Sequence, residues 1–282
     1  MPKVITAATA GFCFGVNRAV ETVYEELKKN KGTVYTYGPI VHNEAVTDEL
    51  ERNGIVTVNS VMEAEKLKPG TMVIRAHGIP LSTENRLREL GFDIVDATCP
   101  FVKKIHRIVE EESAPGRIVI IAGDPSHPEV QGIRDRAGTS AVVIEEPEDP
   151  EKLELKESES YSLVAQTTFN YEKILEIIAR LQDLKYDIKC FNTVCNATQE
   201  RQKEAEKIAS GVDAMIVIGS RNSSNTKKLY DICSRRCAVT VLIQSLDDLT
   251  RKDFTSVNSV GITAGASTPK HIIEEVQTYV RS

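Results

Sequence analysis

Three cysteines far apart in the chain stand where they could hold one metal centre. Cys13 closes the strand-like run 5–12, Cys99 closes 92–98 and Cys195 closes 186–194, and an amphipathic helical stretch follows each. The three are 86 and 96 residues apart. Similarity repeated at that distance denotes copied supersecondary units rather than a thin solenoid. If three copies pack about one axis, three thiolates point at one spot, which suits a metal cluster with one position left open. A structural zinc site closes with four ligands. Iron–sulfur proteins usually advertise themselves with a tight Cys-x-x-Cys run, which this sequence lacks. Cysteines at helix starts feel the macrodipole, which favours the thiolate. Taken singly, each would read as a small buried residue; three in register read as ligands. Cys190, Cys233 and Cys237 have no counterparts in the other copies and read as packing.

A second landmark has the same period. Apolar runs end at Gly38, Gly123 and Gly219, which are 85 and 96 residues apart. Four residues after each glycine comes His42, His127 or Ser223, and six after comes Glu44, Glu129 or Asn225. A looser third landmark delivers His77, Thr167 and Ser267 just past a short strand. Together with Ser224, these polar side chains sit at helix starts, where backbone N–H groups and hydroxyls hold phosphate oxygens. Capping alone explains a serine at such a place; histidine is a poorer cap, so three histidines at matching sites exceed what capping needs. A carboxylate in a buried anion site repels phosphate unless protonated, and a raised pKa would make it a proton donor. Glu129 and Glu44 are equivalent by repeat position, and the repeat does not choose between them. His106, on the helix after Cys99, reads as surface or core, and His271 lacks a counterpart.

The elements that must position these groups alternate strand with helix throughout. Strands are expected at 4–9, 34–37, 55–58, 72–76, 117–122, 141–144, 162–165, 214–218, 239–243 and 259–263. The first helix should bury Val16, Val20, Val23 and Leu27, and others should cover 45–52, 61–67 and 83–90. Such alternation predicts an α/β fold of βαβ units with parallel sheets, whose ligand site lies at the carboxyl ends of the strands. Three units are expected, over residues 1–97, 98–190 and 191–282, and the polar stretch 145–160 reads as a surface loop. The chain of 282 residues is 41% hydrophobic and 27% charged, ordinary for a globular protein. A formal charge of −6 argues against nucleic acid as a partner, and no apolar run is long enough to span a membrane. A cytoplasmic location follows, where cysteines serve as ligands or core residues before they serve as disulfides.

The motifs Gly11-Phe12-Cys13-Phe14-Gly15-Val16, Pro39-Ile40-Val41-His42-Asn43, Arg75-Ala76-His77-Gly78, Asp96-Ala97-Thr98-Cys99-Pro100, Gly123-Asp124-Pro125-Ser126-His127-Pro128-Glu129, Asn192-Thr193-Val194-Cys195-Asn196-Ala197-Thr198, Ser223-Ser224-Asn225 and Gly265-Ala266-Ser267-Thr268-Pro269 occur in this order. The chain so marked strongly resembles the LytB/IspH family of 4-hydroxy-3-methylbut-2-enyl diphosphate reductases, from about residue 5 to about residue 270. The resemblance implies a pseudo-threefold trefoil of three α/β units around a central [4Fe-4S] cluster held by Cys13, Cys99 and Cys195. Its open iron would take the allylic hydroxyl, and two electrons would break the C–O bond to give isopentenyl or dimethylallyl diphosphate and water. His42, His77, His127, Ser223, Ser224, Asn225 and Ser267 would cradle the diphosphate, Glu129 would supply protons, and Thr167 and Thr198 would complete the network. The resemblance also implies ferredoxin or flavodoxin as electron donor, and a monomer without an appended domain is expected. Two other readings of the residues stay open: a non-redox, cluster-dependent dehydratase, which needs no reductant, and a diphosphate-binding redox sensor, which turns nothing over.

Overall fold

A computed structural model of the chain describes residues 2–29, 32–138, 141–184, 186–249 and 257–282. It opens with strand β1 (Lys3–Thr6) and helix α1 (Phe14–Lys28). Strands β2 (Val34–Tyr37), β3 (Val56–Val58), β4 (Thr71–Ile74) and β5 (Asp93–Asp96) pair in parallel in the order β3-β2-β4-β5. Strands β6 (Ile118–Ala122), β7 (Val142–Ile144), β8 (Ser160–Ala165) and β9 (Asp187–Cys190) repeat that plan as β7-β6-β8-β9. Strands β10 (Ala214–Ile218), β11 (Val239–Ile243) and β12 (Ser259–Ala264) form the third sheet, β1-β12-β10-β11. The expected α/β class with parallel sheets is therefore what the chain adopts.

The unit boundaries shift by one strand. The sequence reading gives β1 to the first unit, but β1 pairs with β12, Thr6 opposite Ile262, and so completes the sheet of the last unit. The positions of β5 and β9 in their sheets explain this, because each copy takes its fourth strand from the segment leading to a cysteine. By packing, the chain divides into two compact units, one of Met1–Asn17, His42–Glu49 and Asn196–Ser282, the other of Arg18–Val41 and Leu50–Cys195.

Central strands are continuous apolar runs because both faces are covered. β10 (Ala-Met-Ile-Val-Ile) is buried along its whole length, and β8 is buried from Tyr161 onward. Helices α2 (Glu44–Arg52), α4 (Leu81–Glu89), α5 (Pro100–Ser113), α6 (Pro128–Ala137), α7 (Tyr171–Asp183), α8 (Asn196–Ala209), α9 (Ser224–Arg236) and α10 (Lys270–Arg281) are the main crossover layers, with a shorter α3 (Val61–Ala64). On α1, Val23 is fully buried as expected, but Ala19 is buried in place of Val20, and Val16, Val20 and Leu27 are only partly so. Cys233 and Cys237 lie in an apolar cluster with Ala205, Met215, Val217 and Leu229, the packing role expected of them. Cys190 packs against the cluster of Ile120, Leu163 and Ile174. The stretch 145–160 is not a bare loop. Asp149 begins a single helical turn and accepts hydrogen bonds from the Glu145 and Glu146 amides at 3.0 and 2.8 Å.

Candidate active site

The repeat is a matter of backbone register as well as sequence. Gly38, Gly123 and Gly219 each stand one residue past a central strand, and their N–H groups donate to Val58, Ile144 and Ile243 at 2.7, 2.9 and 2.8 Å. Those acceptors are the last residues of β3, β7 and β11. The cysteines match equally well. Cys13, Cys99 and Cys195 donate their N–H groups to the carbonyls of Ala266, Ala76 and Thr167 at 3.2, 2.9 and 3.0 Å. Each acceptor lies two residues beyond the end of β12, β4 or β8. This register corrects the third landmark. Three residues past those strand ends stand His77, Thr168 and Ser267, so Thr167 is one position short of being their equivalent.

All three cysteines are half-buried thiols outside any disulfide. Cys99 is the N-cap of α5 and its side chain caps nothing. Helices α1, α5 and α8, which follow the cysteines, carry no acidic residue in their first turns, a feature shared with α9 and α10 but not with α2, α4, α6 and α7. A thiolate at such a start meets an undiluted positive helix end. The donor set, three sulfurs with one backbone setting, suits an iron–sulfur cluster better than a closed zinc site.

In the unit that holds Arg18–Val41 and Leu50–Cys195, a buried carboxylate sits at the start of α6. Glu129 is 1% exposed. Its Oε1 accepts from the Thr167 amide at 2.6 Å and its Oε2 from the Thr167 hydroxyl at 2.8 Å. His127 caps the helix through Nδ1, which accepts from the Glu129 amide at 3.1 Å. An Nδ1 that accepts leaves the proton of the neutral ring on Nε2, so the cap fixes the tautomer. His77 packs edge-on against His127, ring centroids 5.1 Å apart. The Thr167 hydroxyl donates to Glu129, a contact along which a proton can pass.

The other unit carries the remaining polar groups. Ser223 caps α9 by accepting from the Thr226 amide at 3.3 Å, and Ser224 and Asn225 form the first turn. Asn225 is 4% exposed, yet neither atom of its carboxamide has a hydrogen-bond partner among the described residues. Burying an unpaired amide costs about 1–3 kcal/mol, a cost that a bound ligand relieves. The Ser267 hydroxyl donates to the His42 carbonyl at 3.0 Å, so the two predicted binding residues are tied together. Thr198 is buried in the first turn of α8.

Glu44 has the repeat address of Glu129 but not its setting. Ser220 Oγ and Asn222 Nδ2 donate to its Oε1 at 3.0 and 2.9 Å, and Gln244 Nε2 donates to Oε2 at 2.8 Å. Its carboxylate is a structural staple. His106 is buried, and its Nε2 has no partner among the described residues. Asn43, beside His42, is 2% exposed with both amide atoms unpartnered among those residues, and no spacing in the sequence singles it out.

A sequence model of the LytB protein family matches residues 4–281. The 4-hydroxy-3-methylbut-2-enyl diphosphate reductase of Clostridioides difficile (strain 630) is 41% identical over 276 residues, covering 98% of each chain. A solved E-1-hydroxy-2-methyl-but-2-enyl-4-diphosphate reductase from Plasmodium falciparum superposes with a TM-score of 0.93 at 30% identity, over 100% of this chain and 88% of that one. A solved (E)-4-hydroxy-3-methyl-but-2-enyl diphosphate reductase, the terminal enzyme of the non-mevalonate pathway, matches with a TM-score of 0.71 at 39% identity, over 100% and 99%.

Proposed function

This chain belongs to the LytB family, and from that membership we propose that it reduces (E)-4-hydroxy-3-methylbut-2-enyl diphosphate to isopentenyl and dimethylallyl diphosphates. The reaction consumes two electrons and two protons: the allylic C–O bond breaks, oxygen leaves as water, and a proton goes to carbon. It is the last step of the non-mevalonate isoprenoid route, and the enzyme is an iron–sulfur oxidoreductase. The observation that carries the reading is the shared register of Cys13, Cys99 and Cys195.

These three cysteines hold a [4Fe-4S] cluster. When bound, it supplies electrons one at a time and a Lewis-acidic iron for the hydroxyl. His42, His77, His127, Ser223, Ser224, Asn225 and Ser267 bind and orient the diphosphate through neutral donors, and the unpartnered carboxamide of Asn225 supports its assignment there. Thr198 belongs to the same hydrogen-bond network. Glu129 donates protons, relayed by the hydroxyl of Thr167; their 2.8 Å contact in a buried setting supports this. Among the described residues no helix is long and apolar enough to cross a membrane. We place the enzyme in the cytoplasm as a monomer, with a ferredoxin or flavodoxin as electron donor.

The test is anaerobic purification with iron and sulfide analysis, followed by assay with the allylic diphosphate and a low-potential one-electron donor. Cys13→Ser, Cys99→Ser and Cys195→Ser each lose the cluster, while Cys233→Ser keeps it. Glu129→Gln keeps the cluster and loses turnover by roughly 10²–10⁴-fold, the range for a general acid. Equal loss from Glu44→Gln would show the wrong carboxylate was chosen. Turnover without reductant would favour the dehydratase.

A further inference from the structure

One turn of α8 grips the loop in front of Cys13 by both its backbone polarities. Glu204 accepts from the amides of Ala8 and Thr9 at 2.9 Å each and from the Thr9 hydroxyl at 2.6 Å. Three residues earlier on the same helix, Arg201 donates from Nη2 to the carbonyl of Gly11 at 2.9 Å and from Nη1 to the carbonyl of Ala264 at 2.6 Å. Gly11 lies two residues before Cys13, and Ala264 ends β12, two residues before the carbonyl that receives the Cys13 amide. The guanidinium therefore pins the cysteine loop to the strand end against which the cysteine is registered.

Arg201 is 3% exposed. Withdrawing a guanidinium from water is costly, and an apolar side chain of like volume usually serves packing better. What an apolar residue cannot do is hold two carbonyls at fixed positions from one planar fork. Burial would raise the Glu204 carboxyl, but the bonds from Thr9 and Ala8, with the Arg201 charge, hold it below its ordinary value. Glu204 thus stays ionised. The same device recurs at a second cysteine: Arg18 Nη1 lies 3.0 Å from the carbonyl of Thr98 and 3.4 Å from that of Ala97, the two residues before Cys99.

We propose that Arg201 and Arg18 are positioning residues for the cluster ligands Cys13 and Cys99, fixing the loops that aim the two sulfurs. This rests on the cluster reading above. Ligand-orienting partners of this kind typically change metal retention by 10–100-fold, whereas a surface arginine changes it little.

The experiment uses anaerobically purified holoenzyme and follows iron release to a strong chelator by absorbance, with iron and sulfide counted at the start. Arg201→Gln and Arg18→Gln are expected to release iron about 10–100 times faster than the parent. Arg201→Lys is expected to behave like Arg201→Gln, since an ammonium keeps the charge but not the fork. Arg236→Gln, which removes an exposed pairing with Glu206, should release iron at the parental rate. Arg18 is only half-buried, so Arg18→Gln should keep the parental unfolding midpoint and tests the idea even if Arg201 variants misfold. Parental release rates in Arg18→Gln and Arg201→Gln, or in Arg201→Lys alone, overturn the proposal. A parent that takes up no iron and sulfide overturns the cluster reading itself, and shows this before any variant is made.

Discussion

Burial, reinforced by the nearby Arg136 guanidinium, pushes the His106 imidazole down to about 3. The ring is neutral at pH 7, wedged so close to the turn after His77 that a Cβ on Gly78 would come 3.0 Å from its Cε1. Its sequence position on α5 allowed either a surface or a core role, because only the fold brings Gly78 and Gly132 against it. A base whose folded pKa is depressed binds its proton more readily when unfolded, so stability falls as pH drops from about 6.5 towards 3. Each pH unit in that window costs about 1.4 kcal/mol. Denaturant titrations at pH 7 and pH 5 should therefore show the parent losing about 2 kcal/mol more than His106→Leu. Identical losses in the two proteins would mean that the ring is hydrated in the folded state. Glu44 and Glu129 make the complementary point. Their equal spacing from a glycine was legible, but the partners that separate their roles were not, since Ser220, Asn222 and Gln244 lie 176 to 200 residues beyond Glu44.

At the scale of the element, the glycine just past β6 and β10 is a packing requirement, which explains why it was a clear landmark after the cysteines. Gly219 has φ near +149°, and a Cβ there would sit 2.6 Å from Thr226 Oγ1, on a side chain with no exposure. Gly123 has the same relation to Val130, seven residues on, at 2.7 Å. The helix that follows comes down directly on the strand end, so its first turn, with His127 or Ser223 as cap, is fixed relative to the sheet. Gly219→Ala should push α9 away and destabilise the protein by about 1–3 kcal/mol, the usual cost of overpacking. Thr226→Ala removes a buried hydroxyl that has no partner among the described residues and makes room. The double variant should therefore recover part of the loss in denaturant unfolding, a coupling of at least about 0.5 kcal/mol. Strict additivity would mean that the strain lies in the backbone alone. Strand ends were less legible. The run 72–76 was expected as one strand, but β4 stops at Ile74 because Arg75–Gly78 turns to deliver His77, an irregularity that hydropathy does not encode.

Over the whole molecule, the spacing of the cysteines and glycines pointed to three copies of one unit, yet strand and helix periodicity did not mark where each begins. Periodicity is local, and sheet membership is decided by pairing between distant segments, here Lys3–Thr6 with Ser259–Ile262. The copies are offset from the chain by one strand, so the first strand closes the last sheet. The consequence is a long-range dependence that a string of independent units would lack. Val4 packs on the apolar cluster of Ile216, Ile262, Ile273 and Val276. A charge introduced there must either stay buried unpaired or pull β1 from the edge of β12, and both options destabilise that sheet by several kcal/mol. Native-state hydrogen exchange on Val4→Asp should then show lost protection in β12 and β10, more than two hundred residues away in sequence. Amides of β2 and β4, close to position 4 along the chain but in another sheet, should keep theirs. Because the Cys13 amide is registered on Ala266 just beyond β12, the same variant should also retain less iron. The opposite pattern, with β2 and β4 exposed and β12 protected, would return the first strand to the unit in which its sequence position had placed it.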